Sequence, residues 1–251
     1  MEEKNMKKIL AVCLAAMLFL PIARAVDPAV NVLISAIQER RVDMVSSMIL
    51  ANPQLAGAVD ALGASVLHYA AECGDKRILQ SVLGAKPNVN FPDRSGRTPI
   101  FRACERTLLD NMTLLLAHGA QPNAVDALTG MTPLMLVCER GKPQMAQALL
   151  AAGAQINAVN KNGTNALMFA AAKGNEKLIT LLLGAGAAAN AVDAEGNTAL
   201  HYAARAGERD AIRLFATLIN VKNKAGFTPM NLAMQAGHTK FVQEIAKYGG
   251  N

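Results

Sequence analysis

Apolar residues recur along most of the chain in short segments with the spacing of one helix face. They take this spacing between Met145 and Leu150 and again between Leu178 and Leu182. A short apolar segment of about eight residues precedes each, and a glycine separates the two in the manner of a left-handed helix end. Along the chain these glycines are Gly74, Gly141, Gly174, Gly207 and Gly237. The pattern predicts pairs of short antiparallel helices.

The helical pairs repeat with a fixed period that is marked by glycines. These glycines are Gly63, Gly96, Gly130, Gly163, Gly196 and Gly226, spaced by 33, 34, 33, 33 and 30 residues. Sequence repetition at 20–50 residues is the signature of stacked arrays, in which each unit buries its apolar face only against its neighbours. The period therefore predicts a solenoid.

Turn residues precede each glycine and helix-starting residues follow it. An Asp or Asn, such as Asp60 before Gly63, stands three or four places upstream, as expected for a tight turn. Thr98-Pro99, Thr132-Pro133 and Thr228-Pro229 then place an N-cap hydroxyl before a proline at the first helical position. Each turn should therefore begin a helix.

Six segments carry this pattern in phase. They read DALGASVLHYAAECGD, DRSGRTPIFRACERT, DALTGMTPLMLVCERGK, NKNGTNALMFAAAKGN, DAEGNTALHYAARAGE and NKAGFTPMNLAMQAGH. They resemble the ankyrin-repeat pattern DxxGxTPLHxAAxxGH. The resemblance implies an all-α solenoid of about seven units: a degenerate capping repeat over 26–59, five repeats over 60–221 and a C-terminal capping repeat over 222–251.

Several positions depart from the pattern. The sixth unit lacks about three residues after Phe215 and has no Gly-Ala turn, while Thr107 replaces a helix-ending glycine. Lys86-Pro87 stands where other units have Gly-Ala. The turn from Asp126 to Gly130 holds one extra residue, so we expect its tip to protrude.

The first 25 residues differ from the repeats. Lys4, Lys7 and Lys8 precede an apolar run from Ile9 to Leu20, and Ala23-Arg24-Ala25 follows. This order is typical of a bacterial secretory signal peptide cut after Ala25. The alternative is a membrane anchor, but the apolar run is shorter than the roughly 20 residues that a spanning helix needs. We expect a periplasmic or secreted protein without membrane insertion after cleavage.

Composition narrows the partner class. Hydrophobic residues make up 52% of the chain but aromatic residues only 4%, which suits closely stacked helices. Without the signal peptide, 25 − 4 = 21 basic residues face 19 − 2 = 17 acidic ones, a net charge of +4. This excess is mild and dispersed, whereas nucleic-acid binding usually needs a clustered basic stripe.

Candidate catalytic chemistry is sparse. His68, His118, His201 and His238 all occupy positions that the repeat accounts for, and we find no recognised catalytic, phosphate-binding or metal-binding motif. Methionines such as Met135, Met145 and Met168 lie in core phase. The sequence therefore predicts a protein without enzymatic activity, cofactor or metal.

Three cysteines follow the predicted cleavage site. Cys104 and Cys138 share one repeat position and should be buried about 10 Å apart, beyond the roughly 7 Å Cα separation of a disulfide. Cys73 is expected at a more exposed position, where a reactive thiol is an alternative to a plain surface cysteine.

The family resemblance implies a concave binding face of hairpin tips and first-helix ends. Transferred position by position, its contact residues are Arg94, Arg97, Met131, Lys161, Asn197, Lys224 and Phe227 at the tips, and Arg106, Arg140, Lys173 and Arg205 at the helix ends, beside Glu72, Glu105 and Glu139. Basic residues predominate, so we expect a protein partner with an acidic surface. Arg102 stands where other units hold Tyr69, Leu136, Phe169 or Tyr202, and needs a solvent route or a partner.

Three roles fit an exported monomeric binder. One is an immunity or antagonist protein that blocks a periplasmic toxin, and another is a scaffold for an envelope oxidative-stress enzyme. The third is an effector secreted into a host. The opposing class, an enzyme, would need a catalytic cluster outside the repeat pattern, and fold alone does not identify the partner.

Overall fold

The computed structural model describes residues 27–250, so the predicted signal peptide lies outside the described residues. Within this range seven helical pairs follow one another, with one isolated bridge between Val59 and Ser65 and no strand. None of these helices is both long enough and apolar enough to cross a membrane. The predicted all-α repeat solenoid is confirmed.

Most units consist of two α-helices. In chain order these are α1 (Pro28–Gln38), α2 (Val42–Ala51), α3 (Val66–Glu72), α4 (Lys76–Gly84), α5 (Pro99–Glu105), α6 (Leu109–Ala117), α7 (Pro133–Glu139), α8 (Pro143–Ala151), α9 (Ala166–Ala172), α10 (Glu176–Gly184), α11 (Ala199–Ala206), α12 (Pro229–Gln235) and α13 (Thr239–Lys247). Units one to five take these helices in pairs, and unit seven is α12 with α13. In unit six, α11 is followed by a 3₁₀ helix, Arg209–Leu218.

The units stack in two layers around one continuous core. First helices pack on first helices, and second helices pack on second helices. Paired alanines such as Ala170–Ala171 and Ala203–Ala204 are fully buried between first helices, where their small side chains permit close approach. The three core-phase methionines are also buried, as predicted.

Aspartate or asparagine side chains organise the hairpin turns before the first helices. In the second unit, Asp60 Oδ1 accepts hydrogen bonds from the backbone N–H groups of Leu62 and Ala64, at 2.8 and 2.9 Å. The equivalent residues of the next five turns act in the same way. The turn glycine has a positive φ each time, between 76° and 82°, which a side chain would disfavour.

Two buried histidines join a helix start to the next unit. His201 Nδ1 accepts the backbone N–H of Thr198 at 3.1 Å, so its Nε2–H donates to the Phe227 carbonyl at 3.0 Å. His68 makes the same pair of bonds to Ser65 and Arg97. These bonds to backbone groups agree with the structural role predicted for His68 and His201.

Asparagine side chains connect successive units at the opposite end of the hairpin segment. Asn123 donates through Nδ2 to the Gly153 carbonyl at 3.0 Å and accepts the Gln155 N–H at 2.7 Å. Asn90, Asn157 and Asn220 also donate to the carbonyl of a glycine 29 residues later. We call this series the asparagine ladder.

The asparagine ladder is interrupted between units five and six. Asn190 stands at the repeat position, but 29 residues later unit six has Ile219 instead of glycine. The shortened unit six forms its 3₁₀ helix here, with non-helical dihedrals at Phe215. No side-chain hydrogen bond joins Asn190 to another residue within 27–250. The three missing residues therefore remove one link between units.

Two local predictions are wrong. Cys73 is buried, and its thiol lies 3.6 Å from the Ile37 carbonyl, because unit one covers the end of α3. Gly74 does not adopt the left-handed conformation of Gly141, while Thr107 and Lys86 do adopt it in place of glycines. The three described cysteines are thiols, and burial raises the pKa of Cys104 and Cys138 well above the ordinary value.

We predict that Asn123→Ala lowers the free energy of unfolding by about 1–2 kcal/mol, since one side chain supplies two hydrogen bonds between units. Urea denaturation followed by circular dichroism measures the loss. Asn190→Ala is the matched control at the interrupted position and should change stability by less than about 0.5 kcal/mol. Equal losses in both variants would contradict the role assigned to the asparagine ladder.

Mild acid should destabilise the fold through His68 and His201. Burial lowers the pKa of both below 6.5, only partly offset by their backbone bonds, so protons bind the unfolded chain more readily. Their stabilisation is therefore complete above pH 6.5 and is lost as the pH falls through the lower folded pKa. Stability at pH 7.5 should exceed that at pH 5.

The control for this effect is the double variant His68→Asn with His201→Asn. Unit seven has Asn231 at the same position, and its side chain accepts the Thr228 N–H at 3.0 Å. The variant should have a lower free energy of unfolding at pH 7.5. That free energy should also change less between pH 5 and pH 7.5 than it does in the native chain. An unchanged slope in urea denaturation would exclude the histidines as its cause.

Candidate partner-binding surface

Backbone hydrogen bonds join the hairpin tips of units three to seven in one series. Ala127 N–H donates to the Ser95 carbonyl at 2.8 Å, and Lys161 N–H donates to the Thr129 carbonyl at 3.0 Å. Equivalent bonds join the tips of the next two units. Together with the exposed C-terminal ends of the first helices, these tips make a surface that we call the inner face.

Three predicted contact residues hold the tips together. Arg94 Nη2 donates to the Ala61 carbonyl, and Lys161 Nζ donates to the Ala127 carbonyl, each at 2.7 Å. Lys224 does the same to Ala194. Basic residues and alanines alternate at this tip position along the chain. Each long basic side chain therefore extends over the small alanine of the preceding unit. These cations stay exposed, but their geometry is fixed by the fold.

Arg97 and Arg102 belong to an ion-pair cluster. Both guanidinium groups lie 3.3 Å from Asp93 Oδ2, and Arg97 also contacts Glu105 at 3.1 Å. Arg102 reaches Glu72 at 4.0 Å. Carboxylates of the chain itself therefore pair with Arg102, as the sequence requires. They also neutralise the charge of Arg97.

Asp93 carries this cluster as a carboxylate. Burial alone would raise the pKa of Asp93, but the backbone N–H groups of Arg97 and Ser95 and the Arg97 guanidinium hold it below its ordinary value. In units two and six a tyrosine replaces Arg102 and donates to the turn carboxylate, as Tyr202 does to Asp193 at 2.9 Å. The guanidinium thus substitutes for a phenol.

The last two helical residues and the C-cap residue of each of the first helices α3, α5, α7, α9, α11 and α12 form a row that we call the helix-end ledge. Its cations are Arg106, Arg140, Lys173 and Arg205, all exposed, and its carboxylates are Glu72, Glu105 and Glu139. Cations suit the negative end of a helix dipole. None of these four cations forms an ion pair with another residue in the described part of the chain.

The remaining predicted contacts differ in exposure. Asn197 is buried, because its amide donates to Asp193 and its carbonyl accepts from Asn223, so its predicted contact with a partner is wrong. Met131 is half-buried against the core, and Phe227 is 37% exposed. The position after the turn glycine therefore offers apolar surface at some units only.

A groove of about 500 Å³ opens on the inner face between units three and five. Leu128, Met131, Leu136 and Phe101 supply its apolar wall. Its charged lining residues are Arg97, Lys161, Glu105, Asp126 and Glu139. The extra residue between Asp126 and Gly130 leaves Leu128 70% exposed at the tip, in line with the predicted protrusion. The groove can accept an apolar side chain of a partner.

Sequence reasoning missed a row of exposed valines beside the hairpin turns. Val59, Val125, Val159 and Val192 each precede the turn Asp or Asn and are between 38% and 56% exposed. The signal was present, since Ala-Val-Asp or Ala-Val-Asn recurs in four units. These valines form a repeated exposed apolar position beside the hairpin turns.

A family model described as ankyrin repeats in three copies matches residues 33–126, 114–193 and 169–251. The chain belongs to the ankyrin-repeat family. Ankyrin repeats generally mediate protein–protein interaction, and proteins built from them are typically not enzymes. No curated protein matches the chain. Within residues 27–250 of this ankyrin-repeat protein, no cluster of three His, Cys, Asp or Glu side chains could hold a metal ion.

Two replacements of Arg102 test whether Asp93 needs a hydrogen-bonding partner at this position. Arg102→Leu leaves Asp93 and two glutamates with Arg97 alone, so we expect a loss of about 1–3 kcal/mol in the free energy of unfolding. Arg102→Tyr restores the phenol–carboxylate pair of units two and six and should cost less than about 1 kcal/mol. Urea denaturation compares the two, and equal losses would show that Asp93 does not need a partner here.

Proposed function

We propose that this ankyrin-repeat protein is a non-enzymatic binding module of the bacterial cell envelope. The supporting observation is the inner face, where an apolar groove lies beside exposed cations that have no carboxylate partner in the described chain. Partner residues can bury apolar area in the groove and pair with these cations, and a few such contacts dominate many interfaces. The signal-like first 25 residues support the location.

Within this function we favour an immunity or antagonist role toward a periplasmic toxin. The tips are joined by backbone bonds and the cations Arg94, Lys161 and Lys224 are held in place, so the face is preorganised. A preorganised surface loses little conformational entropy on binding, which favours tight occlusion of another protein's active site.

Site-specific photocrosslinking in producing cells tests the binding face. Leu128 on the inner face and Leu50 in α2 of the second-helix layer are both leucines, 70% and 81% exposed, and each is replaced by p-benzoylphenylalanine. We expect one discrete adduct from position 128, recovered in the periplasmic fraction, and none from position 50.

The outcome separates the parts of the proposal. An adduct of equal yield from position 50, or none from position 128, would contradict binding through the inner face. A position-128 adduct confined to the cytoplasm would contradict the envelope location. An adduct whose partner is a secreted toxin supports the immunity role, whereas an oxidative-stress enzyme would replace that role by the scaffold role.

A further inference from the structure

Charge on the helix-end ledge changes along the solenoid. Unit two contributes Glu72 alone, while units three and four each contribute a glutamate followed by an arginine. Unit five contributes Lys173 and unit six contributes Arg205, with alanines as their ledge neighbours. Cations without an adjacent carboxylate on the ledge are therefore confined to units five and six.

Four cations near this part of the ledge, Lys161, Lys173, Arg205 and Lys224, outnumber two accessible carboxylates, Glu195 and Glu208. Asp193 is nearly buried and is occupied by Asn197 and Tyr202. Glu195 contacts the Asn197 amide at 3.3 Å, and the carboxylate of Glu208 lies against the backbone of Gly174, next to Lys173. The tip cations Lys161 and Lys224 border the region on the hairpin side and add to its charge.

Apolar surface accompanies these cations. Phe169 and Tyr202 are half-buried side chains of α9 and α11, and these two helices pack directly against each other. Toward unit four the surface continues through Leu136 and Met131 into the 500 Å³ groove. Leu136, Phe169 and Tyr202 occupy the same repeat position, so apolar or aromatic side chains recur from the groove to units five and six.

We propose that the partner docks through an acidic segment with an apolar anchor. The anchor occupies the groove beside Met131 and Leu136, and carboxylates of the segment pair with Lys173 and Arg205. Arginine suits this role because its planar guanidinium binds a carboxylate bidentately. This inference rests on the proposed function and specifies the partner's chemistry.

The repeat spacing constrains the segment. Stacked helices lie about 8–10 Å apart, so Lys173 and Arg205, which are one helix position out of register, should be separated by about that distance. A polyproline II segment rises about 3.1 Å per residue with three residues per turn, so every third residue returns to the same side after about 9 Å. An extended segment with a Glu at every third position therefore places one carboxylate on each unit.

A synthetic peptide tests the inference directly. The probe is a fluorescein-labelled 14-residue peptide with Glu at every third position and one leucine anchor, beside a copy with Gln at each Glu. Fluorescence anisotropy with residues 26–251 should give a Kd at least tenfold lower for the Glu peptide, with affinity falling as salt rises. Equal binding of the Gln copy would overturn the inference.

Variants locate the binding site. Lys173→Glu with Arg205→Glu should weaken binding of the Glu peptide at least tenfold and should favour a third copy that carries Lys at those positions. Lys177→Glu, on exposed surface of α10 in the second-helix layer, is the matched control and should leave the Kd within twofold. Thermal melts confirm that each variant is folded. Loss of binding in the control as well would overturn the inference.

The natural partner separates this inference from the proposed function. If the adduct at position 128 forms in cells but survives Lys173→Glu with Arg205→Glu, the inner face binds a partner and the acidic-segment inference is wrong. If neither the native chain nor the variant gives an adduct at position 128, the proposed function itself fails. Loss of the adduct in this variant, with retention in Lys177→Glu, supports both.

Discussion

Burial of one unit against the next is the interaction on which the whole molecule depends. Helices of seven to eleven residues are too short to be stable alone, and each exposes an apolar stripe that only a neighbouring unit can cover. Paired alanines set how closely first helices approach, and the buried side chains of both layers form one core. Because contacts join mainly adjacent units, the chain builds a long surface from a modest number of residues.

Polar groups then fix how the units are oriented. The amide of Asn123 bonds two backbone groups of the next unit, and the imidazole of His201 bonds one backbone group of its own unit and one of the next. These bonds act in the direction of stacking, at right angles to the helices. Side chains that lie away from the proposed contacts therefore position the units that form the inner face.

Much of the architecture could be predicted because its causes are local. Turn aspartates, prolines at helix starts and glycines at fixed spacing each act within a few residues, so the period revealed seven helical pairs. Side-chain pairing was hidden: Asn197 and Cys73 meet residues of neighbouring units, and Arg97 pairs with Asp93 and Glu105 of its own unit. Asn197 looked like a free turn residue but is enclosed by Asp193 and Asn223. Arg97 looked like a free cation, yet the chain neutralises it.

The interruption of the asparagine ladder leaves a joint, which we define as the junction between units five and six that lacks one link. Units five and six are still linked by the hairpin bond from Ala194 to Asn162 and by an exposed ion pair between Arg213 and Glu176. The bond of the asparagine ladder is absent. A rotation at this junction would change the curvature of the surface. Lys173 and Arg205 lie on opposite sides of this joint, so a segment bound to both would brace it. Recognition and stiffening of the array would then be the same event.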